Sequence, residues 1–132
     1  MTALPERPYG GWPTLYADPA WRFENYSAKG EVKNPVAHYA CMSVEAMAKM
    51  PVAQLGAADS ALFMWATFPM LPDALRLMAA WGYTYRTGGA WAKQSKTGRA
   101  LAFGTGYIFR SAAELLLVGV RGKPAWRVKS SR

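Results

Sequence analysis

Four consecutive residues, Asp18, Pro19, Ala20 and Trp21, combine groups that suit recognition of a planar ring carrying an amino group. The Asp18 carboxylate only accepts hydrogen bonds, Pro19 has a carbonyl but no N–H, and Trp21 has a broad aromatic face. The alternative interpretation is a structural turn whose tryptophan belongs to the hydrophobic core. The tetrapeptide by itself leaves both interpretations open.

The residues before this tetrapeptide predict how its acid is positioned. Residues 14–17 form a β-branched and aromatic run of strand length, and Pro19 cannot donate a hydrogen bond to a sheet. The strand is therefore expected to end at Asp18. In open α/β sheets, ligands bind at the carboxyl ends of the strands. The sequence thus predicts that Asp18 lies at a ligand-binding edge of a sheet.

The rest of the chain predicts alternating helices and strands. Ser43 is a good N-cap for a helix that must stop at Pro51, and Gly82 ends a second helical pattern. The predicted elements are helix 43–50, surface loop 54–59, strand 60–67, a helix from Pro69 to Gly82, strand region 83–94 interrupted at Gly88 and Gly89, and strand 114–120. This order predicts an α/β fold with a largely parallel sheet flanked by helices.

The length and composition fit one domain. We expect residues 1–13 to form an N-terminal arm and residues 14–132 to form the domain. The sequence has no apolar run long enough for a membrane span and no apolar segment typical of a signal peptide. The single cysteine, Cys41, excludes an internal disulfide and predicts a cytoplasmic location. One cysteine and one histidine cannot form a standard zinc site, so no metal is expected.

The formal net charge of +8 predicts attraction to polyanions, although the same charge could serve solubility. The basic residues concentrate in two regions, with Lys93, Lys96, Arg99 and Arg110 in the middle and Arg121, Lys123, Arg127, Lys129 and Arg132 in the tail. A polar stretch between Trp21 and Met42 contains Asn25, Lys29 and Lys33. Its length predicts a binding loop, with phosphate contacts and solvated charges as the two alternatives for its lysines.

Asp18-Pro19-Ala20-Trp21 resembles the Asp-Pro-Pro-Trp motif of the adenine methyltransferase family typified by the catalytic subunit of the eukaryotic mRNA adenosine methyltransferase. The resemblance extends over about residues 14–126, with further segments in the family's order. These segments are His38-Tyr39, Met42-Ser43, Met50-Pro51-Val52, residues 62–67, 80–83 and 91–94, Gly104 to Tyr107, Arg110, Glu114 and residues 118–124.

The resemblance implies a Rossmann-like class I methyltransferase fold and S-adenosylmethionine as the cofactor. It assigns catalysis to Asp18, Pro19, Ala20 and Trp21, and it places the cofactor's methyl group at Asp18 and Pro19. Trp21 would stack on an adenine whose amino hydrogens are accepted by Asp18 and by the Pro19 carbonyl. The remaining residues assigned to the substrate are Asn25, Lys29, Lys96, Arg99 and Arg110.

The sequence departs from the family at two points. Ala20 replaces the second proline, which leaves the Pro19 carbonyl in place but removes some stiffness from the loop. The chain also ends before the family's C-terminal segments, so we expect an incomplete sheet whose exposed edge favours a homo- or heterodimer. A shortened protein and a piece of a longer one are both compatible with this.

Two functions follow as alternatives. The first is adenine N-methylation of nucleic acid, DNA rather than RNA in the phage and bacterial branch of the family. The second is a catalytically silent module that binds nucleic acid through its basic surface. A remnant with neither property is the third possibility, and none of the three involves a membrane.

Overall fold

The structure is a computed structural model that describes residues 3–21, 41–104 and 106–126. Its described elements are strand β1 (Trp12–Ala17), helix α1 (Val44–Ala48), strand β2 (Gly56–Ala66), helix α2 (Leu71–Ala80), strand β3 (Thr84–Ala92) and strand β4 (Ala113–Arg121). Short 3₁₀ helices at Pro51–Gln54 and Phe68–Met70 precede β2 and α2. The four strands form one sheet in the order β1-β2-β4-β3.

The sheet is mixed, which corrects the prediction of a largely parallel sheet. β1 pairs with β2 in parallel, whereas β4 pairs antiparallel with both β2 and β3. β1, β2 and β3 therefore run in the same direction, and β4 lies between β2 and β3 in the opposite direction. The predicted strand–helix–strand unit is present as β2, α2 and β3, but β4 lies between its two strands in the sheet.

Both described helices pack on one face of the sheet. Alternate residues of β2 and β4 face them and are buried, and an added Cβ at Gly119 of β4 would meet the side chains of Met78 and Tyr83. The core on this side contains Leu15, Leu62, Met64, Ala66 and Leu117 of the sheet together with Met47, Ala74, Leu77 and Met78 of the helices. Met47, Leu77 and Met78 of the predicted helices are thus core residues, and Met50, Leu71 and Leu75 pack against the core.

The opposite face of the sheet is covered by neither α1 nor α2. Because side chains alternate along a strand, Tyr16, Phe63, Trp65, Leu116 and Val118 point away from the helices. We call this surface the open face. Among residues 3–21, 41–104 and 106–126 no further helix packs on it, and no helix there is long and apolar enough to cross a membrane.

The start of β2 and the course of β3 differ from the prediction. β2 begins at Gly56, inside the stretch predicted as a surface loop, because Gly56 pairs with Trp12 of β1 and Ser60 pairs with Arg121 of β4. β3 continues through Gly88 and Gly89 without interruption. A Cβ at Gly88 would lie 2.7 Å from the carbonyl oxygen of Leu116, so glycine permits the close approach of β4. Gly82 ends α2 with a φ of 84°, as expected for a C-terminal glycine.

The residues before β1 contact the rest of the domain. Leu4 packs against the core, and the Arg7 Nε donates a hydrogen bond to the carbonyl of Gln54 at 2.7 Å. The Trp12 indole donates to the carbonyl of Glu6 at 3.1 Å. These contacts fix the approach of the chain to β1.

Arg121, predicted among the polyanion-attracting tail residues, has structural contacts at the end of β4. Its guanidinium donates to the carbonyls of Ala53 at 2.9 Å and Ala57 at 3.3 Å, and it lies 4.7 Å from the ring centre of Tyr83. The Tyr83 hydroxyl in turn lies 2.8 Å from the buried Ser60 hydroxyl. Arg121 thereby connects β4 to the segment that enters β2.

We expect Arg121→Met to lower the free energy of unfolding by roughly 1–3 kcal/mol, because two carbonyls lose a charged donor. Arg110→Met is the matched control, since Arg110 is exposed and should change stability by less than about 0.5 kcal/mol. Urea unfolding of both variants measures the difference. Equal stabilities for the two variants would contradict the structural role of Arg121.

Candidate active site at the strand tips

The sheet brings the ends of three parallel-running strands and the start of β4 to one edge. β1 ends at Ala17, β2 ends at Ala66 and β3 ends at Ala92, while β4 begins at Ala113. Ala66 pairs with Leu115, and Ala92 pairs with Ala113, so these termini are neighbours. Asp18 follows β1 directly and is exposed at this edge. We call this edge of the sheet the strand-tip edge.

The turn after β1 is held by backbone hydrogen bonds. The Trp21 N–H donates to the carbonyl of Pro19 at 2.9 Å, and the Met42 N–H donates to the carbonyl of Ala20 at 3.0 Å. A carbonyl oxygen has two lone pairs, so Pro19 retains capacity to accept a second hydrogen bond. The Ala20 carbonyl connects the turn to the residues that precede α1.

Trp21 is a core residue in this structure. It is only 5% exposed, and its indole donates to the carbonyl of Trp65 at 3.3 Å. This placement agrees with the alternative interpretation of the tetrapeptide as a turn with a buried tryptophan. The ring fixes the turn against β2, and its burial leaves little of the aromatic surface that base stacking by Trp21 would require.

Glu114 is a second acid at the same edge. It occupies the second position of β4 and pairs with Trp91 of β3, and its carboxylate forms an ion pair with Lys93 at 2.6 Å. Partial burial, and secondarily the negative charge of Glu114, raise the pKa of the Asp18 carboxyl above its ordinary value of 3.8. The two acids lie at the same edge of the sheet, on strands that are separated by β2.

Three aromatic side chains form a continuous row on the open face beside these acids. The Trp65 indole donates to the Tyr16 hydroxyl, and the rings of Trp65 and Trp91 meet edge to face with centres 6.2 Å apart. We call Tyr16, Trp65 and Trp91 the aromatic row. The sequence alone does not reveal this row, because the three residues come from three strands whose pairing the sequence does not show.

Apart from Lys93, which pairs with Glu114, the basic and polar residues singled out in the sequence divide into three groups. Lys96, Arg99 and Arg110 are exposed and belong to the segment between β3 and β4, which places them at the same edge as Asp18. Arg121 and Lys123 lie at the opposite end of β4, where the Lys123 N–H donates to Asp59 at 2.8 Å. Asn25, Lys29, Lys33, His38, Tyr39, Arg127, Lys129 and Arg132 lie outside the described residues.

Both described grooves lie away from Asp18. The larger, of about 710 Å³, is on the open face and is lined by Phe63, Val118, Val120, Arg86, Lys123 and Trp126, among others. The smaller is lined by Leu71, Tyr85, Leu115, Leu117 and the glycines of β3, among others. At the strand-tip edge itself, the Thr67 hydroxyl oxygen is buried without a hydrogen-bond partner among the described residues. It is a polar group available to a ligand that reaches this edge.

We expect Glu114→Gln to move the pKa of Asp18 down towards its ordinary value, because one of the two causes of the shift is removed. A raised pKa in the folded state favours folding most below the ordinary value, and this contribution is lost as the pH rises through the folded pKa. Carboxyl ¹³C NMR titration of Asp18 measures the change. Glu45→Gln, at an exposed site on α1, is the control; an unchanged Asp18 titration in Glu114→Gln would contradict the coupling.

Two comparisons with known proteins agree on the type of domain. A bacterial relative, "Type II methyltransferase M.MunI" from Mycoplasma sp, is 24% identical over 136 aligned positions, which cover 91% of this chain and 55% of the relative. The chain thus spans about half the length of the curated relative it matches. The sequence profile of the MT-A70 family matches residues 13–131, which include both sides of the strand-tip edge. The chain therefore belongs to the MT-A70 family of adenine methyltransferases.

Proposed function

We propose that this chain forms the target-amine site of an S-adenosylmethionine-dependent methyltransferase acting on the exocyclic amine of adenine in DNA. The observation that carries the proposal is the exposed Asp18 carboxylate beside the Pro19 carbonyl at the end of β1. The family match and the name of the bacterial relative support methyl transfer. The exposed cations at the same edge support a polyanionic substrate.

The chemistry begins with the weak nucleophilicity of an adenine amine, whose lone pair is delocalised into the ring. Asp18 accepts a hydrogen bond from one amino hydrogen, and the free lone pair of the Pro19 carbonyl accepts one from the other. These two acceptors draw the nitrogen towards a pyramidal geometry and orient its lone pair away from the turn. Acceptors fixed before the reaction stabilise the positive charge that develops on the nitrogen.

The acceptors at this edge fit a cationic methyl donor. Asp18 and Glu114 place negative charge near the amine, and the Thr67 hydroxyl is an unpartnered polar group at the end of β2. When bound, S-adenosylmethionine supplies a methyl group activated by its sulfonium. Asp18, Pro19 and Thr67 are the described residues that would hold it, while neither described groove encloses this position.

Lys96, Arg99 and Arg110 supply sequence-independent contacts to phosphates. Such contacts fix the register of the strand without reading its bases. The target adenine must leave a duplex stack, or be presented in a single strand, to reach a carboxylate at the end of a strand.

A second candidate function is a module that binds nucleic acid without transferring a methyl group. The position of both described grooves away from Asp18 favours it. This function requires the cations of the strand-tip edge but not the Asp18 carboxylate. The two candidates are therefore separated by substitutions at these two places.

We expect Asp18→Asn to reduce methyl transfer by at least about 100-fold, because a preorganised charged acceptor is lost at the reacting nitrogen. The measurement is transfer of labelled methyl groups to oligonucleotides with and without adenine. Asp59→Asn is the matched control, because Asp59 lies at the opposite end of β2 and an amide oxygen can still accept from Lys123. Full activity of Asp18→Asn would contradict its role, and no transfer by the unaltered chain would favour the silent module.

Arg110→Gln should weaken binding to single-stranded DNA and reduce the slope of log affinity against log salt by about 0.7, the value for one phosphate contact. Arg76→Gln is the control, since Arg76 is exposed on α2 and forms an ion pair with Asp73. Fluorescence anisotropy over a range of salt concentrations gives both slopes. An Arg110→Gln slope equal to that of the unaltered chain would exclude a phosphate contact at this residue.

A further inference from the structure

We propose that the aromatic row, with Trp91 as its end on β3, is the surface on which the target base stacks. This inference rests on the proposed function and assigns the stacking contact to Trp91 rather than to the buried Trp21. Trp91 is 63% exposed and Tyr16 is 68% exposed, whereas Trp21 is 5% exposed. The row is therefore an exposed aromatic surface carried by strands that end at the same edge as Asp18.

The register of the sheet places Trp91 close to the strand-tip edge. Trp91 is the penultimate residue of β3 and pairs with Glu114, so the two side chains project from the same face of the sheet. Trp65 contacts both Trp91 and Tyr16, so the three side chains together extend from β3 to β1. Asp18 follows Tyr16 by two residues. An aromatic surface thus leads from Trp91 to the proposed amine acceptor.

The groups around the row favour a planar polar ring over an apolar protein segment. Asp18 and Glu114 carry negative charge at its margin, and Lys93 is paired with Glu114 while both remain partly exposed. An apolar helix packed over the row would desolvate these charges, which is costly. A nucleobase stacks on the indole through its face and keeps its polar edge towards the carboxylates.

The contact between Trp65 and Trp91 also prepares the row for binding. An edge-to-face neighbour holds the Trp91 ring on one side, and the hydrogen bond to Tyr16 holds the Trp65 ring. A stacking surface whose rings are already positioned loses less conformational freedom when the base binds. Tyr16 and Trp65 are therefore positioning residues for Trp91.

The test compares binding of a thymine oligonucleotide with one central adenine and the same oligonucleotide with an abasic site there. Base stacking on an aromatic side chain predicts that the unaltered chain prefers the adenine oligonucleotide by about 5- to 150-fold. Trp91→Leu should abolish this preference, and Trp91→Phe should retain most of it. Trp126→Leu is the matched control, because Trp126 is 56% exposed but lies beyond the opposite end of β4.

A second measurement uses the unaltered chain. Photocrosslinking of an oligonucleotide with 8-azidoadenine at the central position should label the tryptic peptide of residues 87–93, which contains Trp91. Labelling confined to other peptides would overturn the proposal, and so would an adenine preference that survives in Trp91→Leu or is absent from the unaltered chain.

These binding measurements need no methyl transfer and therefore separate the two proposals. A Trp91-dependent preference in a chain that transfers no methyl group supports the aromatic row and contradicts the proposed catalysis. Methyl transfer that depends on Asp18 but is indifferent to Trp91→Leu supports the proposed function and contradicts the aromatic row.

Discussion

The pairing of β4 between β2 and β3 is the constraint on which the candidate site depends. β2 has a parallel neighbour on one side and an antiparallel neighbour on the other, so the end of β1 and the start of β4 meet at one edge. Asp18 leaves that edge from β1, and Glu114 enters it on β4. If β4 ran parallel to β2, Glu114 would lie at the opposite end of the sheet from Asp18.

The alternation of side chains along these paired strands gives the two sides of the sheet different surfaces. On the helix side, Leu62, Met64 and Leu117 are buried under α2, and Gly119 gives room to Met78. On the open face, alternate positions of the same strands carry large side chains that the described helices leave uncovered. The aromatic row belongs to this face, so its exposure near Asp18 is a consequence of the alternation of side chains along the strands.

The sequence predicted local features whose causes are local. Pro19 ended β1, Ser43 capped α1 with its hydroxyl accepting from the Ala46 N–H, and Gly82 ended α2, because each acts on the backbone of its own segment. The direction and position of β4 were not predictable in this way, since they depend on partners more than 50 residues apart such as Ala61 and Val120. Gly88 was predicted to interrupt β3. The reason for a glycine at this position is the close approach of the Leu116 carbonyl, a tertiary contact that the sequence does not show.

Trp21 and Trp91 show why residue type alone could not locate the proposed stacking surface. Both are tryptophans near a strand end, and the resemblance of Asp18-Pro19-Ala20-Trp21 to the family motif favoured Trp21. The fold uses Trp21 to hold the turn, through its hydrogen bond to the Trp65 carbonyl. The side chain of Trp65 projects to the open face, where it contacts Trp91. One residue of β2 thus anchors the Asp18 turn through its backbone and positions the proposed stacking ring through its indole.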